Sequence, residues 1–281
     1  MKLIYLLFLC LFIENIYATS FSDMIQNLRI LESYISQYKS EGKSKKSLTN
    51  LVVSYIREGK YKDVYWKVAA GSAPKDLADY VAKKDKEHGT NSAQCRKYGD
   101  IVMPSNEKSD FVHLFAVMNG IDYCGSYTKG VSALVGWGGD TAQLIQDIKK
   151  LNGDENKLYI EATKFFRIKG QFGEGDLIAD LDAPIFLAKK NDKNTFADII
   201  EKYYNNGEYK NRVRDFVKLT FPELNKNSDK NEFRKVVYDR YSKDSYLKIL
   251  EIKYAVYKGY ENHRFAAVYN FADYLYKNYK K

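Results

Sequence analysis

The chain is poor in the residues that break helices, form crosslinks or bind metals. Its 281 residues include four prolines, three cysteines and three histidines. So few prolines, together with the absence of a Gly/Ser-rich linker, exclude flexibly joined domains and predict one compact unit. The histidines lie far apart, and no H-x-x-x-H or C-x-x-C spacing occurs. A zinc site is therefore not predicted.

Motifs that would identify a chemistry are also missing. The sequence contains no G-x-S-x-G nucleophile elbow, no G-x-x-x-x-G-K-S/T phosphate loop and no EF-hand loop. The sequence therefore predicts neither the serine nucleophile nor the bound phosphate or calcium that these motifs provide, and no cofactor is expected. No N-x-S/T sequon occurs either, so N-glycosylation is not expected.

The one long apolar run lies at the beginning of the chain. Lys2 is followed by the apolar residues 3–13. A basic residue before a run of this length predicts a signal peptide over residues 1–18, cleaved after Ala18 or Ser20. The run is shorter than the ~20 residues of a membrane-spanning helix. We therefore expect a soluble protein that is secreted or held in the endomembrane lumen, with an uncleaved anchor as the alternative.

Loss of the signal peptide removes Cys10 and leaves two cysteines. In an oxidising compartment an even pair predicts one disulfide, between Cys95 and Cys124. The alternative is that Cys124 is a thiol nucleophile paired with His113.

The composition is that of a folded, basic protein. Its 45% hydrophobic and 15% aromatic residues exclude intrinsic disorder. The formal net charge of +9 favours acidic partners, such as an anionic polymer or an anionic membrane surface. Nucleic acid is compatible with this charge, but no motif supports it. We predict a main helical domain over residues 21–221, on which a basic, tyrosine-rich helical subdomain, residues 229–281, packs.

Apolar residues recur at three- and four-residue spacing along nearly the whole chain, which predicts helices. Strand patterns are limited to residues 158–160 and 165–168. We therefore predict a mainly α fold, a compact multi-helix globular domain with at most a small β-hairpin. Gly59 is expected to end the second helix, and Pro74 to begin the third. The predicted helices cover residues 22–40, 47–59, 74–89, 111–118, 144–151, 177–189, 194–205, 209–220, 229–241, 243–258 and 262–279.

A candidate site lies in the glycine-rich middle of the chain. Of the 17 glycines, 10 fall between Gly120 and Gly175, beside acidic and aromatic residues. His113 comes just before them, in the most apolar predicted helix, and Asp110 lies one turn earlier. An acid beside an imidazole is what a general base needs. The alternative is a core histidine that bonds to a backbone carbonyl, on a helix that Asp110 or Ser109 caps.

Trp137 and Asp140 belong to a Gly-Trp-Gly-Gly-Asp turn. The glycines permit a tight turn that presents Trp137 for stacking on a sugar or base and Asp140 as an acid or base. The alternative is that Asp140 caps a helix and Trp137 packs in the core.

Asp176 and Asp180 lie one turn apart on a predicted helix, whereas Asp182 points elsewhere. Together with Glu174, these three acids could bind a hard cation or supply the paired carboxylates of a glycosidase. The alternative is a solvated acidic helix start, capped by Asp176. Because Asp180 and Asp182 fall among apolar residues, we predict that at least one of them is partly buried, with an arginine or a tyrosine available as its partner. Asp180 is the acid that we single out for a functional role.

Two functions are compatible with these observations. One is a non-enzymatic secreted toxin, adhesin or host-interacting protein that binds through its basic helices. The other is a secreted hydrolase of an acidic or carbohydrate polymer, and the clustering of catalytic residue types in one apolar segment favours it. In that hydrolase the catalytic residues are His113, Asp110, Asp140 and Asp180, and the substrate-binding residues are Trp137 and Asp176.

Overall fold

The fold is helical apart from one short hairpin. The computed structural model describes residues 19–61, 72–126, 174–242 and 271–281. Within these ranges lie nine α-helices and a two-stranded antiparallel sheet, which confirms the predicted mainly α class. Its elements are α1 Phe21–Ser40, α2 Leu48–Tyr61, α3 Leu77–His88, a 3-10 helix Ser92–Arg96, β1 Asp100–Val102, β2 Lys108–Asp110, α4 Phe111–Cys124, α5 Glu174–Lys189, α6 Phe196–Asn205, a 3-10 helix Glu208–Asn211, α7 Arg212–Thr220, α8 Lys230–Ser242 and α9 271–279.

Several predictions fall on residues outside the described ranges. They are the signal peptide (1–18), the helices 144–151 and 243–258, and the strands 158–160 and 165–168. These remain predictions.

Helix α1 shows how local sequence fixes an element. Its apolar residues recur every three or four positions, and residues such as Leu28, Leu31 and Ile35 are fully buried. Ser20 is its N-cap, because Ser20 Oγ accepts the backbone N–H of Asp23 at 3.1 Å. Such a cap stabilises a helix by about 1 kcal/mol.

Helix α4 is the centre of the core. Residues 111–121 are buried almost without exception, as expected of a helix that is apolar on all sides. It packs against α2 and against α5. Its start is fixed by Asp110, and it ends at Gly125, whose φ of 61° is left-handed.

The hairpin leads directly into α4. Asp100 lies opposite Asp110, and Ile101 opposite Ser109. Strand β2 also contacts α5. The start of α4, which carries His113, and the start of α5, which carries Asp176 and Asp180, are therefore brought together at this hairpin.

A buried ionic network joins α5, α6 and α7. Asp182 on α5 is completely buried and accepts hydrogen bonds from Tyr203 and Tyr204 of α6. Arg212, at the start of α7, donates to the same carboxylate from Nε at 2.7 Å and Nη2 at 3.1 Å. Its Nη1 also donates to Glu107 at 3.0 Å. This network satisfies the buried charges on one face of α5.

A second buried carboxylate joins α1 to α6. Glu32, on α1, accepts the backbone N–H groups of Phe196 at 2.7 Å and Ala197 at 2.9 Å, at the N-terminus of α6. Burial raises the pKa of Glu32 to about 7, although both N–H groups and Lys190 oppose the rise.

The C-terminal helices pack on each other and on α7. Arg234 of α8 donates to both oxygens of Asp273 on α9 at 2.7 Å. The rings of Phe216 and Phe271 lie 6.1 Å apart. Residues 221–229 connect α7 to α8, and the division of the chain into two units there stays a prediction.

Some helix boundaries differ from the prediction. Helix α2 continues through Gly59 to Tyr61, so this glycine does not end the helix. A side chain at position 59 would meet the backbone oxygen of Arg96, and the glycine therefore provides clearance for that backbone. Pro74 precedes α3 by three residues instead of opening it, and Leu77 N–H donates to its carbonyl at 3.1 Å. Helix α5 begins at Glu174, so Asp176 lies inside the first turn and is not the cap.

We expect Arg212→Met to lower the free energy of unfolding by about 3–5 kcal/mol, because it leaves Asp182 buried without its cation. Chemical denaturation of both proteins measures the difference. The matched control is Arg240→Met, which breaks a partly exposed pair with Glu223 and should cost about 0–1 kcal/mol. Equal losses in the two variants would contradict the structural role of the network.

The raised pKa of Glu32 predicts a pH-dependent stability. The native state holds this proton more tightly than the unfolded chain, whose glutamates titrate near 4.5. The contribution is therefore full below that pH and is lost as the pH rises through about 7. Denaturation between pH 4.5 and 8 should show the wild type losing about 3 kcal/mol relative to Glu32→Gln. A difference that does not change with pH would contradict this.

Candidate functional site

His113 is held in the first turn of α4. Asp110 Oδ1 accepts the backbone N–H of His113 at 2.9 Å, which confirms that Asp110 caps this helix. Both residues are buried. Asp110 therefore fixes the backbone of His113. It is a helix cap, which is one of the roles that the sequence suggested for it.

Asp180 reaches His113 from the neighbouring helix α5. His113 Nε2 lies 2.8 Å from Asp180 Oδ1, and both side chains are buried. Burial raises the pKa of Asp180, while the charge and hydrogen bond of His113 oppose that rise. The prediction that at least one of Asp180 and Asp182 is buried is confirmed for both acids, and the partner of Asp180 is a histidine instead of an arginine or a tyrosine. We call this pair the dyad.

Asp176 lies on the other side of the same imidazole ring. Its Oδ1 is 3.9 Å from His113 Nδ1, one helical turn before Asp180. Its side chain is 17% exposed, compared with 12% for Asp180, so it is the more accessible of the two acids. The two carboxylates share one face of α5, as their spacing predicted, and they flank the two ring nitrogens.

Asp182 does not belong to this site. It lies two residues after Asp180 and points to the opposite side of α5, into the network with Arg212. Spacing on the helix correctly predicted this divergence. Its partners are an arginine and two tyrosines, the residue types expected beside a buried acid of this helix.

The dyad has the arrangement of an oriented acid–base catalyst. A carboxylate that accepts the Nε2–H of a neutral imidazole places the ring lone pair on Nδ1 and stabilises the imidazolium once it forms. In the described part of the chain, no group of three or more His, Cys, Asp or Glu residues is placed to hold a metal. A polar groove between α1 and residues 190–195 lies at the opposite end of α5 from the dyad.

Two of the predicted site residues, Trp137 and Asp140, lie outside the described residues, so their roles remain predictions. The side chain of Cys124 lies outside the description as well.

The predicted Cys95–Cys124 disulfide is wrong, because Cys95 is a free thiol. Its 3-10 helix packs against α1, α2 and α3, which buries the residue completely. Burial also raises the pKa of this thiol. Cys95 is therefore a neutral core group rather than a reactive one.

Sequence reasoning missed the part that the hairpin plays. Asp100 pairs with Asp110 across the strands, and its carboxylate lies over Gly175 at the start of α5. The only signal was a glycine beside an acid, which is equally typical of a helix end.

Comparison with known proteins identifies a family but no activity. Residues 115–279, more than half of the chain, match the family described as YkzU uncharacterised protein. The match includes Asp176 and Asp180 and begins two residues after His113. Comparisons with curated proteins and with solved structures found no match. The chain therefore belongs to the YkzU family.

Proposed function

We propose that the protein is a secreted hydrolase of an acidic or carbohydrate polymer, in which His113 transfers protons and Asp180 orients it. The observation that carries the proposal is the buried 2.8 Å contact between His113 Nε2 and Asp180 Oδ1. A hydrogen-bonded carboxylate–imidazole pair joining two helices of an apolar core is costly to bury. Such pairs are common at catalytic sites, where a fixed tautomer is needed.

In the proposed reaction His113 acts as general base and then as general acid. With the Nε2 proton donated to Asp180, Nδ1 accepts a proton from the attacking water as its oxygen bonds to the scissile centre. The imidazolium then returns that proton to the leaving oxygen. Asp176 lies 3.9 Å from Nδ1 and its side chain is 17% exposed, which supports entry of water and substrate on that side. In the proposed reaction its carboxylate holds one of them.

The proposed substrate class and location rest on charge and on the N-terminal sequence. The net charge of +9 supports attraction to an anionic polymer or an anionic membrane surface. Among the described residues no helix is long and apolar enough to cross a membrane. The apolar run at residues 3–13 supports export through a signal peptide.

The structure around Ser20 supports cleavage after Ala18 over cleavage after Ser20. Ser20 Oγ accepts the N–H of Asp23 at 3.1 Å and donates to its carboxylate at 2.7 Å. Cleavage after Ser20 would remove this cap and leave an ammonium group at Phe21. A positive charge at a helix N-terminus opposes the helix dipole.

We expect His113→Ala and Asp180→Asn to lower turnover by about 10²–10⁴-fold, because both remove the oriented proton carrier. The assay compares peptidoglycan, chitin, RNA and lipid as substrates. His88→Ala is the matched control, since His88 is exposed and stacks on Tyr34; it should retain wild-type activity. Full activity of His113→Ala would contradict the hydrolase. Binding of a panel polymer without turnover by the wild type would favour the non-enzymatic secreted protein.

For the processing site, intact-mass analysis of the exported protein should give an N-terminus at Thr19. The Ala18→Lys variant should not be cleaved there, because the cleavage site requires a small residue. A mature chain that begins at Phe21, or one that keeps residues 1–18, would contradict this prediction.

A further inference from the structure

Gly175 lies where the start of α5 meets the hairpin. A Cβ atom at this position would lie 2.6 Å from Asp100 Oδ1 and 3.2 Å from the backbone nitrogen of Asp110. The first contact is too short for any side chain, and the second is tighter than ordinary packing. Asp100 is exposed, so its carboxylate can turn away. The backbone of Asp110 cannot, because Asp110 is the cap of α4.

The positions of His113 and Asp180 therefore both depend on Asp110. Asp110 sets His113 through the cap hydrogen bond of 2.9 Å. It also limits how closely α5 can approach, through its contact with Gly175. Asp176 and Asp180 follow Gly175 on the same helix, within two turns. Any displacement of the start of α5 moves both carboxylates relative to the imidazole ring.

We propose that Gly175 is a positioning residue for the dyad: its missing side chain lets α5 approach closely enough for Asp180 to hold His113. This inference rests on the proposed function for its effect on turnover, but its structural part does not. A larger residue at position 175 would move α5 by a few tenths of an ångström from Asp110, which lengthens the contact between Asp180 and His113. Misplacement on this scale costs activity because proton transfer depends steeply on distance.

Four proteins test the proposal: the wild type, Gly175→Ala, the double variant Asp100→Ala/Gly175→Ala, and Gly99→Ala. Gly99 is the matched control, since a side chain there would meet nothing within 4 Å. The readout is the NMR signal of the His113 ring N–H in protein labelled with 15N-histidine. With three histidines in the sequence, this signal can be assigned by its loss in His113→Gln.

We expect Gly175→Ala to shift or broaden the His113 ring signal and to lower turnover by about 10-fold. Gly99→Ala should match the wild type. The double variant should keep most of the change, because the exposed Asp100 carboxylate can already turn away and the contact with the Asp110 backbone remains. Alanine favours a helix more than glycine does, so the melting temperature of the double variant should not fall. This separates repositioning from unfolding.

A wild-type ring signal in Gly175→Ala would overturn the proposal, as would a double variant whose ring signal returns fully to the wild type, because the Asp110 backbone would then not limit the approach of α5. The proposed function can fail separately. If the ring signal responds as expected but His113→Ala keeps full turnover, Gly175 positions a structural pair and the hydrolase is wrong.

Discussion

The structure depends on how helix α5 satisfies two buried carboxylates. Asp180 and Asp182 are two residues apart, so they leave the helix on different sides, and both are buried. Burying a carboxylate without a partner costs several kcal/mol. The elements that pack against α5 therefore supply a partner for each of the two acids. On one side α6 and α7 supply two tyrosines and Arg212. On the other side α4 supplies His113. The packing of α5 thus determines both the core and the candidate site.

The two partnerships differ in chemistry. Arg212 remains charged at any physiological pH, so the Asp182 pair is fixed and can only hold helices together. Histidine gains and loses a proton near neutral pH, so the Asp180 pair can exchange one. A second acid, Asp176, lies within 4 Å of the other ring nitrogen and is partly exposed. Helix α5 therefore carries a structural carboxylate, Asp182, and a carboxylate suited to proton transfer, Asp180. Their roles differ because one is paired with an arginine and the other with a histidine.

Local patterns predicted the helices, the divergence of Asp182 from its neighbours and the burial of at least one of Asp180 and Asp182, because these follow from the helical repeat within a few residues. They did not predict which helix lies opposite. His113 and Asp180 are 67 positions apart, and no periodicity links them. The hairpin was missed because strands of three residues show no pattern of their own. Gly59 and Gly175 look like helix ends in the sequence, yet each provides clearance for a neighbour that only the tertiary structure reveals.

The most direct test of the dyad is a double-mutant cycle on turnover with His113→Ala, Asp180→Asn and the variant that carries both. If Asp180 acts only by orienting His113, its replacement should cost nothing further once the imidazole is gone. We therefore predict that the double variant is as active as His113→Ala alone. Losses that multiply would show that the two residues act independently, and this would contradict the dyad.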